Sequence, residues 1–395
     1  MLNPRLDLLT DYPFQRLADL LGAPPGPQSI VMSIGEPQHQ PPPMLAEILE
    51  KSAADWGKYP PANGTQGFRD SIKAWLTRRF QLSPDLIDTE TCLLPAAGTR
   101  EALYMTGQLT PAEKNGQPAL ALLPNPFYQV YQGAAVMAGA EPYFVAGAND
   151  PVAQPDYGSL APDILDRVTL AFLCSPANPQ GSVASLDQLK RAVQLARRHD
   201  FILAVDECYS EIWDREKPSG VLTACEELGQ GLGNVLAFHS LSKRSSAPGL
   251  RSGFVVGDPN LIKKFARIRS YGGAAVPLPV IHASAALWRD EAHVEQNRIL
   301  YRRKLDLAEK YLGGRPDFRR PEGGFFLWLK VGDGEAAAVA LWKRAGIRVL
   351  PGAYLARDGS DGVNPGKAYI RIALVHDLET TERALTQIRD VLNTL

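Results

Sequence analysis

Cysteine is scarce in this chain, and what there is lies scattered. Cys92, Cys174, Cys208 and Cys225 are the only four in 395 residues, and no CxxC or Cys/His spacing joins them. That excludes the common zinc frameworks and favours free thiols in a reducing compartment over a disulfide scaffold. No metal site is expected. Long apolar runs are missing as well: no stretch approaches the roughly 20 residues of a membrane span. The opening MLNPRLDLLTDYPF places Pro, Arg and Asp where a signal peptide needs an apolar run, so a cytoplasmic protein without membrane contact is expected. Neither sign of charge is in excess. Lys and Arg total 42 against 43 Asp and Glu, a formal net charge of -1, which gives no electrostatic case for nucleic-acid binding. Repeats and low-complexity tracts are lacking too, which sets aside solenoids and disordered tails.

The remainder is ordinary globular material. Hydrophobic residues make up 45% and charged residues 22%, and the length allows two or three domains with a large core. GAPPGPQ and QHQPPP break the N-terminal region into loops, because Pro fixes the backbone and removes donors. From about residue 90 the texture alternates. LLPAAG, ALALLPNP, EPYFVA, LAFLCSP, FILAVDE and VLAFHS are short apolar runs ending in turn residues, the pattern of buried strands. Helical stretches sit between several of them. The clearest is SLDQLKRAVQLARRHD at 185–200, with Leu186, Leu189, Val193 and Ala196 at helical spacing. Ser185 and Gln188 form a capping box, and basic residues crowd the last turn. Strands alternating with helices predict a mostly parallel sheet covered on both faces.

After about residue 282 the pattern changes. One long charged helical stretch, ALWRDEAHVEQNRILYRRKLDLAEKYL, leads to GGFFLWLK and KAYIRIALV, which read as strands of a smaller α+β unit. The expected organisation is an N-terminal segment (1–44) packing on the small domain or on a partner subunit, a large domain (45–281) and a small C-terminal domain (282–395).

Ligands of such sheets sit at the C-terminal ends of the strands. The polar residues found there are Gly98, Thr99 and Arg100, then Tyr128, Asn178, Asp206, Tyr209, Ser240, Ser242 and Lys243. AAGTREAL opens a helix whose backbone N–H groups can hold a phosphate, or Thr99 is an ordinary cap. Tyr128 either stacks on a flat ring or fills the core. Asp206 ends a buried strand and needs a partner, either a protonated ring nitrogen or an arginine or helix cap. Tyr209 can reach a phenolic oxygen or be a half-buried tyrosine. Lys243, in HSLSKRSSAPGLRSGF, is either a solvated loop charge or an amine placed to form a Schiff base among small residues.

GTREAL, SPANPQG, VDECYSEI, SLSKRSSAPGLRSG and YIRIALV occur in that order, each at a strand end or in a strand, with YPF and SIGEP upstream. Together they resemble the class I and II pyridoxal-phosphate aminotransferases of fold type I, over nearly the whole chain. The resemblance implies an α/β fold, with a mostly parallel seven-stranded sheet flanked by helices in the large domain. It implies pyridoxal 5′-phosphate as cofactor, held covalently by Lys243, which then moves the substrate Cα proton. Asp206 would pair with the pyridine nitrogen, and Asn178 and Tyr209 would donate to the phenolic oxygen. Gly98, Thr99, Arg100, Ser240, Ser242 and Arg251 would surround the phosphate, and Tyr128 would stack on the ring. Tyr59, in KYPPANGTQGFR, would reach a phosphate in the other subunit, which implies a homodimer with shared sites. Arg371 in YIRIALV sits in an apolar strand and needs an anion; the resemblance makes that anion the substrate α-carboxylate, met also by Gly35 and Asn178. Glu36 either faces the site or caps a turn.

FHSLSKRSSAPGLRSGFVVGD and NPRLDLLTDYPFQRL look most like the N-succinyldiaminopimelate aminotransferases of lysine synthesis. Those enzymes exchange an amino group between glutamate and a succinylated amino-keto diacid. Leu250 stands where many aspartate-type members carry an aromatic residue, and Ser246 where Asn is expected. Aspartate, alanine or aromatic donors, or a C–S β-lyase reaction, remain as alternatives.

Overall fold

The apolar runs become strands because β-branched and aliphatic side chains can bury both faces of a sheet. In the computed structural model, which describes residues 2–10, 12–24, 26, 29–147, 150–359 and 362–395, seven such strands form one sheet. They are β1 (Leu93–Ala96), β2 (Leu120–Pro124), β3 (Glu141–Val145), β4 (Val168–Cys174), β5 (Ile202–Asp206), β6 (Val235–Ser240) and β7 (Gly253–Gly257). Their order is β1-β7-β6-β5-β4-β2-β3. Neighbours are parallel except at β7, which runs antiparallel to β1 and β6.

The helices that position the site are α1 (Pro13–Leu21), α2 (Gln66–Phe80), α3 (Thr99–Thr106), α4 (Gln129–Ala138), α5 (Leu186–Arg198), α6 (Leu278–Arg289), α7 (Ala292–Leu312), α8 (Gly334–Ala345) and α9 (Leu378–Leu392). Strand alternation sorts the core into two layers. Leu203 and Val205 of β5 join Trp75, Leu189 and Trp288 from α2, α5 and α6. Ile202 and Ala204 join Leu103 and Tyr131 from α3 and α4.

A second sheet, β8 (Phe326–Lys330), β9 (Leu350–Pro351) and β10 (Tyr369–Ala373), is antiparallel with β10 in the middle. Leu327 and Ile370 bury against α7, α8 and α9. Leu17 and Leu21 of α1 pack on Trp328, Trp342 and Leu350, so this N-terminal helix lies on the smaller unit. Ile30–Val31 then pairs with Ile347–Arg348 and leads the chain to Gly35. Among the described residues no helix is long and apolar enough to cross a membrane.

The structure departs from the sequence reading at two places. The charged stretch after residue 282 is two helices, because Asp290 takes an extended conformation (φ -87°, ψ 125°) and its carboxylate accepts the His293 N–H at 3.0 Å. GFVVG, not singled out as a strand, forms β7.

The capping box of α5 forms. Ser185 Oγ accepts from Gln188 N at 3.2 Å, and Gln188 Oε1 accepts from Ser185 N at 2.9 Å. Ser185→Ala should therefore cost about 1 kcal/mol in urea unfolding without changing the site. No loss of stability would show that the box carries no net free energy.

Candidate active site

Parallel strands present their C-terminal ends at one edge of the sheet, and β7, running the other way, begins at that edge. The register aligns Cys174 with Asp206 and Asp206 with Phe238, so β4 and β5 end together and β6 runs two residues further, to Ser240. Here a cavity of about 490 Å³ opens. Thr99, Arg100, Tyr128, Asn178, Asp206, Tyr209, Ser240, Ser242, Lys243 and Arg251 line it from the large sheet. Arg371 of β10, with Gly35 and Glu36, lines it from the smaller unit.

Lys243 lies on the short helix Leu241–Arg244 that follows β6. It is no surface charge: its Nζ donates to Gly35 O at 2.5 Å and stands 5.4 Å from the Phe325 ring centroid. Burial, with Arg371 and Arg100 nearby, lowers the amine from 10.5 to about 8. Any side chain at Gly35 would strike Phe326, since a Cβ there would lie 2.3 Å from that ring. Glu36 faces the cavity.

Asp206 is buried, and each carboxylate oxygen has a donor. Tyr131 Oη donates to Oδ2 at 2.7 Å, and Cys208 N donates to Oδ1 at 3.1 Å. Burial nevertheless raises the carboxyl above its ordinary 3.8, the sign of an anion short of positive charge. Burial likewise raises the phenol of Tyr209.

Thr99 is not the helix cap considered from the sequence. Gly98 takes the cap position at φ 86°, and Thr99 Oγ1 lies 3.0 Å from Cys208 Sγ. A Cβ on Gly98 would sit 1.9 Å from Arg251 Nη2, so only glycine lets that guanidinium reach the start of α3. Ser240 Oγ accepts from Ser242 N at 3.1 Å. Gly98 thus supports the wall without lining it. Arg100 Nε donates to Tyr128 Oη at 2.7 Å, tying two of the expected residues to each other.

Arg371 is 4% exposed, and no carboxylate pairs with it among the described residues. Its Nη1 donates to Asn178 Oδ1 at 3.0 Å and its Nη2 to Ser33 O at 2.7 Å, while buried Nε has no partner. Burial lowers it to about 10. The guanidinium is thus buried without an ion-pair partner among the described residues. Tyr59 is fully exposed and is not brought to the cavity of its own chain.

Three contributors were missed by sequence reasoning. Tyr131 follows Tyr128 by three residues in NPFYQVY, the helical spacing that faces both to one side. Tyr12 and Phe14 of DYPF line the cavity from the start of α1. YPF is part of the resemblance, but its place in the wall is not assigned by it, because only tertiary packing brings α1 here.

The residues fit pyridoxal 5′-phosphate. A helix N-terminus, two serines and an arginine suit a phosphate, a buried carboxylate deficient in cation suits a protonated ring nitrogen, and a partly deprotonated amine stands between. No group of His, Cys, Asp and Glu among the described residues could hold a metal ion. A profile of the aminotransferase class I and II family matches residues 27–388. The chain belongs to this family. A 4-dedimethylamino-4-oxo-anhydrotetracycline transaminase from Streptomyces rimosus is 35% identical over 87% of the chain and 88% of its own length. An LL-diaminopimelate aminotransferase from Syntrophobacter fumaroxidans is 30% identical over 98% of the chain and 97% of its own length. An aminotransferase structure from Neisseria meningitidis superposes with a TM-score of 0.91 at 41% identity, covering 98% of this chain and 99% of that one. The protein is a pyridoxal-phosphate-dependent aminotransferase of fold type I.

Two outcomes test the site of this aminotransferase. An acylating reagent should label Lys243 in the cofactor-free protein with its half-maximal rate near pH 8, because only the neutral amine reacts. A midpoint near the ordinary 10.5 would show that the amine is not perturbed. Asp206→Asn should lower turnover by about 100-fold or more, since a buried charge aimed at the cofactor is lost. Unchanged turnover would make Asp206 a structural residue only.

Proposed function

We propose that this aminotransferase exchanges an amino group between glutamate and N-succinyl-2-amino-6-oxopimelate, with 2-oxoglutarate as the other product, in diaminopimelate and lysine synthesis. The observation that carries a diacid reading is that two of the three arginines lining one cavity, Arg371 and Arg100, pair with no carboxylate among the described residues and are not assigned in this reading to the phosphate. Arg371, with Asn178 and Gly35, takes the α-carboxylate. Arg100 spends its Nε on Tyr128 and pairs with no carboxylate among the described residues, so its guanidinium is free for a second one. The sequence reading gave Arg100 to the cofactor phosphate; its bond to Tyr128 supports this second role. Every compound in the proposed exchange carries at least two carboxylates. Phe14 and Leu355, also in the wall, offer apolar surface to a methylene chain. The relative named for LL-diaminopimelate is consistent with a long amino diacid.

Bound pyridoxal phosphate supplies the electron sink that makes the substrate Cα proton removable. The chain's own residues do the rest. Lys243 Nζ, lowered toward neutrality, accepts and returns that proton. Asp206 would hold the ring nitrogen protonated, Tyr209 and Asn178 would donate to the phenolic oxygen, and Tyr128 would pack on the ring. Thr99, Ser240, Ser242 and Arg251 would hold the phosphate, with Gly98 leaving room for the Arg251 guanidinium. The working unit is a homodimer in the cytoplasm. Tyr59, fully exposed, reaches the partner's phosphate.

An absorbance scan of the cofactor-loaded enzyme during one half-reaction tests the substrate. Glutamate and N-succinyl-LL-diaminopimelate should each shift the cofactor spectrum; a shift with only aspartate, alanine or an aromatic donor would discard the pathway. Arg100→Leu should raise KM for both diacids by about 10- to 100-fold, the worth of a hydrogen bond between charged groups, and leave alanine nearly unchanged. Equal effects on diacids and alanine would return Arg100 to the phosphate.

A further inference from the structure

Lys304 and His39 take no part in the site described above, yet the first is buried and the second half-buried. Lys304, on α7, is 1% exposed, and no carboxylate pairs with it among the described residues. Its Nζ lies 4.9 Å from the Tyr301 ring centroid and 2.6 Å from His39 Nε2. The other ring nitrogen, His39 Nδ1, is 2.6 Å from Asn297 Oδ1. Asn297, two turns before Lys304 on α7, points its Nδ2 at the main-chain oxygens of Lys243 (3.2 Å) and Arg244 (3.3 Å). Ser246 Oγ donates to Asn297 Oδ1 at 3.1 Å.

The chemistry of these atoms fixes the protons. Two carbonyl oxygens require the amide NH₂ of Asn297, so its oxygen faces His39. His39 Nδ1 must then carry the hydrogen, which leaves Nε2 to accept from Lys304. The chain of donors runs one way: Lys304 to His39, His39 to Asn297, Asn297 to Lys243 O. The charged groups facing it agree. Burial and the Lys304 charge lower His39 to about 4, and burial lowers Lys304 only to about 7, with Asp377 pulling it back up. Between about pH 4 and pH 7 the proton therefore stays on lysine, and the imidazole is neutral.

His39 lies four residues after Gly35, whose carbonyl accepts from Lys243 Nζ. We propose that Lys304, His39 and Asn297 form a positioning relay for Lys243, through which the segment bearing Gly35 and His39 holds that lysine at both its side-chain and main-chain ends. The relay rests on Lys243 as the cofactor lysine. None of its three members lines the cavity, whereas Ile34, Gly35 and Glu36 do. A substrate that displaces this segment acts on Lys243 twice, at Nζ directly and at its carbonyl through His39 and Asn297. Ser246 gains a purpose here: it sits at φ 48° and ties the turn after Lys243 to the same amide.

The test uses the holoenzyme. Lys304→Met, close in volume, and His39→Ala should each lower kcat with glutamate by about 10- to 100-fold, the cost of a misplaced reacting group, and leave KM within about 2-fold. The isotope effect with Cα-deuterated glutamate should rise in both. His39→Gln, which can donate and accept at similar positions, should recover most of kcat. Independently of activity, ¹⁵N spectra of the histidine-labelled wild type, with His39 assigned by its loss in His39→Gln, should show a neutral ring protonated at Nδ1 down to pH about 5. A His39 titrating near its ordinary 6.5, or protonated at Nε2, overturns the relay. Borohydride reduction and peptide mapping of the wild type separates the two readings. Cofactor on another lysine removes the premise; cofactor on Lys243 with an unmoved isotope effect in the variants overturns the relay alone.

Discussion

Asp206 ends β5 inside the protein, where a charge persists only if donors are brought to it. One donor is Tyr131 on α4 and the other is the backbone of Cys208, so both α4 and the turn after β5 are constrained by one carboxylate. The turn in turn sets Tyr209 in the cavity wall and Cys208 Sγ against Thr99. Register does the remainder: β4 and β5 end level and β6 runs two residues further, and the segments that follow bring Asn178 and Lys243 into the cavity wall that Asp206 lines. The residual shortage of positive charge at Asp206 suits a cationic ring nitrogen.

The cavity is shared between two hydrophobic cores. Arg371 stands on the smaller sheet and donates to Asn178 of the larger; Lys243 stands on the larger and donates to Gly35, whose segment comes off the smaller. Each contact is a polar bond between units whose own cores are separate. An anion bound at Arg371 would therefore compete for, or add to, a bond that also joins the two units.

Much of this was legible in the sequence, because strand ends in an α/β sheet advertise themselves as an apolar run followed by a polar residue. Asp206, Lys243 and Asn178 stand in such positions, and the capping box of α5 is local chemistry. What escaped had non-local causes. β7 follows directly on the Ser- and Gly-rich run SSAPGLRS and reads as the tail of a loop. The break at Asp290 depends on one side chain turning back on the His293 amide within an unbroken charged pattern. Tyr12 and Phe14 reach the cavity only because α1 packs on Trp328 and Trp342, far along the chain. His39 in a proline-rich loop and Lys304 in a charged helix look solvated until the fold closes around them.

The reversed strand has a consequence for how the protein is made. β1 touches the sheet only through β7, with Leu93 opposite Val256. During synthesis β1 and the start of α3 emerge early and then wait for most of the sheet to be translated before they have an edge to join. Closing so long a loop is slow relative to local pairing. The β2–β6 block can assemble first, and the phosphate end of the site, where Gly98 meets Arg251, is completed last. A nascent chain therefore reaches a largely folded sheet before it can hold its cofactor, which makes β7 the step that separates a folded sheet from a functional one.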